Sequence, residues 1–341
     1  MPAAVTANVG IVIIGRNEGA RLARCLASTR GMTPRVYVDS GSADGSVLLS
    51  REAGAIVVEL SSPPPYTAAR ARNAGLARLL ADYPQLEFVQ TLDGDCELDP
   101  QWIVNAIGEL QGEPRLALVF GRLREREPQR SLYNALCDQE WQRPVGEASG
   151  VGGNALFRVE ALREVGCYSA AMIAGEEMDL ALRLRARGWK LRSIATDMAL
   201  HDADMTRFAQ WWRRARRSGH ACAELALLHP SARDPDWTAA RRRIVLWGGA
   251  MPLALLLATA GALLLDPRWW LLAALLLLPW PVNVLRLARR EQRRGRGPRL
   301  GWALAGFWML AKLPEMLGVL DLVRNRLLRR DSQLIEWRVG K

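Results

Sequence analysis

The 341-residue chain is half hydrophobic and carries a formal net charge of +11, most of the surplus being arginine. That length holds one large domain or two ordinary ones, and the charge leaves three partner classes open: nucleic acid, anionic lipid or phosphorylated substrates. The five cysteines lie far apart without a C-x-x-C pair, which argues against a zinc site or a disulfide framework and suits a reducing compartment.

From the N-terminus, "MPAAVTANVGIVIIGRNEG" has no basic region ahead of its short apolar run, so no signal peptide is expected. Apolar, β-branched runs then recur at 9–15, 35–41, 55–60, 86–93 and 116–121. Between the first four sit "EGARLARCLAS", "SVLLSREAG" and "TAARARNAGLARLLADYP", with apolar residues at three- and four-residue spacing. The alternation predicts an α/β domain over 1–235, a mostly parallel sheet covered by helices. The stretch "SSPPP" (61–65) reads as a loop. In such sheets ligands bind at the carboxyl ends of the strands, so the polar residues after each apolar run carry the functional expectation.

Beyond Arg243 the composition changes. Residues 244–265 contain no charge, and neither do 269–285; only Asp266, Pro267 and Arg268 lie between 265 and 269. The two runs, about 244–265 and 269–288, predict a transmembrane hairpin within a membrane region over 236–341, with Trp247, Trp269, Trp270 and Trp280 near the segment ends. Arg241, Arg242 and Arg243 precede the hairpin, and Arg286, Arg289, Arg290, Arg293, Arg294, Arg296 and Arg299 close or follow it. By the positive-inside rule both ends, and the α/β domain, face the cytoplasm. The basic clusters then lie against anionic membrane lipids, which accounts for much of the charge without nucleic acid. A third apolar segment, 301–320, contains Lys312, Pro314 and Glu315. It predicts a helix in the cytoplasmic interface, with a third span as the alternative.

The run "VQTLDGDCELDPQW" (89–102) places Asp93, Asp95, Glu97 and Asp99 at a strand end. Paired carboxylates at i and i+2 suit a hard divalent cation that also meets phosphate oxygens. The bland alternative is a solvated acidic turn. "GRNEG" (15–19) follows the first strand and "VDSGSADGS" (38–46) the second; "ARNAG" (71–75), "GVGGNALFR" (150–158) and "GEEMDLALRLRARGWK" (175–190) come in order around the acidic pair.

This ordered set, over roughly 9–220, resembles the family 2 glycosyltransferases, GT-A-fold enzymes with a Rossmann-like sheet that take a nucleotide-sugar donor. The apolar tail and "TRFAQWWRRARRSGHACAE" (206–224) look similar to membrane-bound bacterial members that build envelope or secreted polysaccharides. The resemblance implies donor contacts from Asn17, Glu18, Asp39, Arg72, Asn73 and Asp93. It implies Asp95 and Asp93 as ligands of Mg²⁺ or Mn²⁺, with His201 a further ligand. Where the family often has a second acid beside Asp39, this chain has Ser40. The same likeness places Gly152, Gly153 and Asn154 at the acceptor. It assigns Glu177 as the base that takes the acceptor proton in an inverting transfer, where the family usually has aspartate. Helical geometry puts Glu176 and Asp179 on one face with Glu177 pointing elsewhere, so either of the two is an alternative base. Gln210 and Arg213 fit the Q-x-x-R-W signature of processive synthases at the acceptor, but Arg214 replaces its tryptophan.

The reading is an inverting, metal-dependent glycosyltransferase at the bacterial inner membrane, serving a lipid-linked or saccharide acceptor in polysaccharide biosynthesis. Three alternatives stand beside it: a processive polysaccharide synthase, a nucleotidyltransferase using Arg16 at the α-phosphate, and a non-catalytic membrane scaffold that binds nucleotide-sugar. The sequence sets no oligomeric state.

Overall fold

The computed structural model describes residues 8–61, 65–231 and 235–333. The expectation for the first residues of the chain, most of the predicted "SSPPP" loop and the end of the basic tail lie outside them. The chain divides into two units, Met1–Thr206 and Arg207–Lys341.

The first unit begins with β1 (Val9–Gly15), α1 (Ala20–Ser28), β2 (Arg35–Asp39), α2 (Ser46–Glu52), β3 (Ile56–Glu59), α3 (Ala68–Asp82) and β4 (Phe88–Asp93). These are the predicted alternating elements. Val12, Ile13, Val36 and Val38 are fully buried, as expected for parallel strands covered on both faces. After β4 come β5 (Cys96–Leu98), α4 (Trp102–Gly112), β6 (Leu116–Glu125), α5 (Leu132–Glu140), β7 (Gly146–Glu147), β8 (Ala155–Arg158), α6 (Val159–Val165), α7 (Glu176–Ala186) and β9 (Lys190–His201). One sheet runs in the order β3-β2-β1-β4-β8-β6-β9-β5, with β7 added against β9. It is mixed and mostly parallel: β3, β2, β1 and β4 run together and β6 pairs parallel with β9, whereas β8, β5 and β7 pair antiparallel.

Two registers set the site. Gly15 pairs with Asp39, and Ile14 pairs with Asp93, so both acids sit at the carboxyl ends of strands flanking β1. Helix α3 is capped by Thr67, whose side chain accepts the Arg70 amide at 3.2 Å. Gly75 lets this helix lie close on Val12 and Val38, which brings Arg72 over the end of β4.

The second unit holds α8 (Phe208–Leu228), α9 (Pro235–Arg243), a π-helical turn (Ile244–Ala250), α10 (Met251–Leu264), α11 (Trp269–Leu277), α12 (Pro279–Arg293), α13 (Pro298–Leu310) and α14 (Lys312–Leu327). The expected domain boundary near residue 235 is thus preceded by a structural one after Thr206. Helix α8 belongs with the C-terminal helices because it packs on α14, with Arg216 gripping Asp321 through two bonds of 2.5 and 2.7 Å. Among the described residues, three helical stretches are long and apolar enough to cross a membrane: Trp237–Leu264, Trp269–Arg293 and Pro298–Leu327. The third includes the segment read from sequence as interfacial. Its two charges meet each other, Lys312 Nζ lying 2.5 Å from Glu315 Oε2.

Candidate active site

The loops after β1 and β2 are laced together. The Asn17 amide donates to Ser42 Oγ at 2.9 Å, and Asn17 Oδ1 accepts the Ala43 amide at 2.7 Å. Asn17 holds a positive φ of 53°, a strained position that asparagine tolerates. Asp39 is buried; its Oδ2 accepts the Gly41 and Ser42 amides, and its Oδ1 accepts the Tyr37 hydroxyl at 3.1 Å. Glu18 pairs with Arg21 at 2.9 Å. Asn73 clasps the backbone of Tyr168, donating to its carbonyl at 2.7 Å and accepting its amide at 3.0 Å. These bonds are internal to the loops, and they give the strand ends a defined rim.

The acids of 93–99 meet positive charge from the chain itself. Glu97 is held by Arg24 at 3.0 Å and by Arg126, while Asp99 accepts the Gln101 amide ahead of α4. Asp93 meets Arg72 Nη2 at 2.9 Å, and Arg72 Nη1 reaches both Glu176 and Glu177, each at 2.9 Å. One buried guanidinium therefore gathers three carboxylates from two elements, under the ring of Tyr168 at 5.5 Å. Burial alone would lower the Arg72 pKa; Asp93, Glu177, Tyr168 and Glu176 outweigh it, and the net shift is upward.

Glu176 and Asp179 are both buried, yet they face different partners. Asp179 Oδ2 accepts from Ser169 at 2.6 Å and from Arg183 at 2.7 Å. Glu177 shares Nη1 of Arg72 with Glu176, while Nη2 of the same guanidinium meets Asp93. The Glu177 side chain is 21 % exposed against 2 % for Glu176, so it is the more open of the two.

Asp95 sits deeper. Its Oδ2 lies 3.3 Å from His201 Nε2, a meeting set by the antiparallel register of Cys96 with His201. Cys96 donates to Asp95 Oδ1 at 3.6 Å and accepts from Asn154 Nδ2 at 3.3 Å. Ligand atoms of Asp95, Cys96 and His201 all lie within 4.8 Å of one another. Depth in the cleft raises the Asp93 carboxyl pKa, Arg72 pulls it down, and Asp95 and Glu177 push it up again; the net direction is upward. Burial, with Asp95 and Asp93 close by, also drives the Cys96 thiol well up. An oxygen pair beside an imidazole fits a divalent cation, and Mn²⁺ suits the nitrogen better than Mg²⁺ does.

The 150–154 segment closes the site. Asn154 Oδ1 accepts the Asp93 amide at 2.8 Å, and the Gly153 carbonyl accepts from Thr91. A Cβ on Gly153 would strike both Arg72 and Asp93. Gly152 faces open space. Gln210 and Arg213 lie on α8 in the second unit, where Gln210 Oε1 accepts the Arg207 amide at 2.9 Å and caps the helix. Sequence reasoning missed Cys96, Glu125, Trp141 and Tyr168. Glu125 and Trp141 flank His201, and only the register of β6 with β9 reveals it.

Known proteins share this organisation. The model of glycosyl transferase family 2 matches residues 10–166, and that of glycosyl transferase family group 2 matches 137–289. The pre-mycofactocin glycosyltransferase of Mycobacterium tuberculosis is 31% identical over 260 residues, covering 72% of this chain and 51% of that protein. Glucomannan 4-beta-mannosyltransferase 7 of Arabidopsis thaliana is 32% identical over 121 residues, 32% of this chain and 22% of that one. The chain thus spans about half the length of the first of these relatives and less of the second. Among solved structures, the mannosyltransferase PcManGT from Pyrobaculum calidifontis, in complex with GDP-Man and Mn²⁺, superposes with a TM-score of 0.58 at 18% identity, covering 94% of this chain and 88% of that one. Glucosyl-3-phosphoglycerate synthase from M. tuberculosis gives 0.50 at 19% identity, covering 68% and 82%. With its GT-A sheet and two matching family models, the chain belongs to the family 2 glycosyltransferases.

Proposed function

We propose that the protein is an inverting glycosyltransferase that moves a sugar from a nucleotide-diphosphate sugar to a hydroxyl of a lipid-linked acceptor. The observation that carries this reading is the meeting of Asp95 with His201 at 3.3 Å, beside the acids gathered by Arg72. The relatives support it: a mannosyltransferase described with GDP-Man and Mn²⁺, and a pre-mycofactocin glycosyltransferase.

Asp95 and His201, with Asp93 beside them, are the residues that would hold a divalent cation. Such a cation supplies charge neutralisation for a leaving nucleoside diphosphate. The linked loops of Asn17 and Asp39 form the nucleotide side of the cleft. Arg72 keeps Asp93, Glu176 and Glu177 from repelling one another before substrate arrives. Glu177 takes the acceptor hydroxyl proton as that oxygen bonds the anomeric carbon and the carbon–phosphate-oxygen bond breaks. Gly153, without a side chain, lets Arg72 and Asp93 lie against its backbone. The apolar helices would keep the acceptor's lipid in reach, and the arginines around them would set the catalytic unit on the cytoplasmic side of a bacterial inner membrane.

Glu177→Gln keeps size but cannot accept a proton. Transfer falls roughly 10²–10⁴-fold while donor binding holds. Asp179→Asn instead shows as lost stability, about 1.5–3 kcal/mol, because its carboxylate serves Arg183. Steady-state transfer with thermal unfolding separates them. Near-normal transfer by Glu177→Gln would remove it from the role of base.

A further inference from the structure

Strands β6 and β9 run parallel and pair Glu125 with His201. The Glu125 side chain is fully buried. Three N–H groups fix its carboxylate: Asn134 Nδ2 at 3.1 Å and the Glu127 amide at 3.3 Å on Oε1, and the Ala203 amide at 3.1 Å on Oε2. Oε2 lies 3.8 Å from His201 Nδ1. That nitrogen is buried and makes no hydrogen bond among the described residues. The opposite nitrogen, Nε2, is the one beside Asp95. Trp141 packs against the imidazole, with ring centroids 4.4 Å apart and planes at 61°.

We propose that Glu125 is a positioning residue that holds the His201 proton on Nδ1 and so presents the Nε2 lone pair to a divalent cation shared with Asp95. The inference rests on the cation reading above and extends it to a residue outside the cleft. The physical logic is tautomeric. A neutral imidazole carries one proton, and the hydrogen bond at one nitrogen decides which nitrogen keeps a lone pair for a metal. A carboxylate locked by three N–H groups cannot swing away, and a small closing of the ring toward Oε2 completes the bond that Nδ1 lacks. Trp141 limits rotation of the ring about its own axis. Glu125 itself touches neither substrate nor cation; it acts through His201.

The test is a double-mutant cycle on the full chain in detergent, with Mn²⁺ alone as the probe. Free Mn²⁺ is read by electron paramagnetic resonance, and unfolding is followed without metal. Glu125→Gln is expected to weaken Mn²⁺ binding roughly 10–100-fold, the usual effect of removing such an outer partner. In a His201→Ala background the same substitution should have no further effect, because there is no ring left to orient. Glu125→Asp, which keeps the charge but withdraws it from Nδ1, serves the same cycle if Glu125→Gln does not fold. Wild-type Mn²⁺ affinity in Glu125→Gln, alongside a weakened His201→Ala, would overturn the inference and leave the site reading intact. Equal weakening by Glu125→Gln in both backgrounds would also overturn it, since the effect would then be structural. Should Asp95→Asn and wild type bind Mn²⁺ equally, the cation reading falls, and the inference with it.

Discussion

Arg72 is a buried cation with three carboxylate partners, and its own Nε makes no hydrogen bond among the described residues. Arg72→Met would leave Glu176 buried without its counter-ion. Removing one partner of a buried ion pair costs about 3–5 kcal/mol. Denaturant unfolding of the solubilised protein should show a loss of that size. Arg72→Met with Glu176→Gln should recover part of it, because the orphaned charge is then gone. A double variant no more stable than Arg72→Met would mean that Glu176 is not the charge that matters. The same residue shows how far the sequence could be read. "ARNAG" and the acids were visible as motifs, but their pairing was not. A helical wheel of α7 separates Glu177 from Glu176 and cannot show that one nitrogen of a guanidinium from α3 meets both. The motif alone points to a cation at Asp93 and Asp95; the structure adds that Arg72, Arg24 and Arg126 meet acids of the same run.

Elements were legible where their burial was simple. β1 is an apolar run and, like β2 and β4, is buried almost throughout, whereas the edge strand β3 is half-buried; α3 and α7 show apolar spacing on one side. β9 is harder: buried and exposed residues are mixed along its twelve positions, and it pairs with three strands, β6, β5 and β7. The neighbours of His201 therefore became visible only with the register. In the second unit the crossing of α8 and α14 depends on small residues. A Cβ on Gly219 would strike the backbone of Glu315, and one on Gly318 would strike the backbone of Arg216. Close approach of this kind brings backbones together without a large apolar contact. Gly219→Leu should destabilise by about 3 kcal/mol, the upper part of the overpacking range. Gly306→Ala, where a Cβ meets nothing within 4 Å, should be neutral or stabilising by up to about 1 kcal/mol. Thermal unfolding of both variants checks the contrast, and equal melting temperatures would contradict the tight crossing.

At the scale of the whole molecule, a family 2 catalytic unit is followed by three helical stretches apolar enough to cross a membrane. Exposed leucines at 253, 256, 257, 263, 264 and 271 leave a large apolar surface that water would not tolerate. The full chain should stay with membranes through a high-salt and alkaline wash and leave only with detergent. Release by salt alone would make arginines, and not apolar helices, the anchor. The central claim concerns the acids at the strand ends and the cation they would hold. It is tested most directly by measuring nucleoside diphosphate release from a panel of nucleotide-sugars, by wild type and by Asp95→Asn, with Mn²⁺ and with chelator. The account predicts release from at least one donor that requires Mn²⁺ and disappears in Asp95→Asn while unfolding stays cooperative. Equal release with chelator present, or a fully active Asp95→Asn protein, would contradict it.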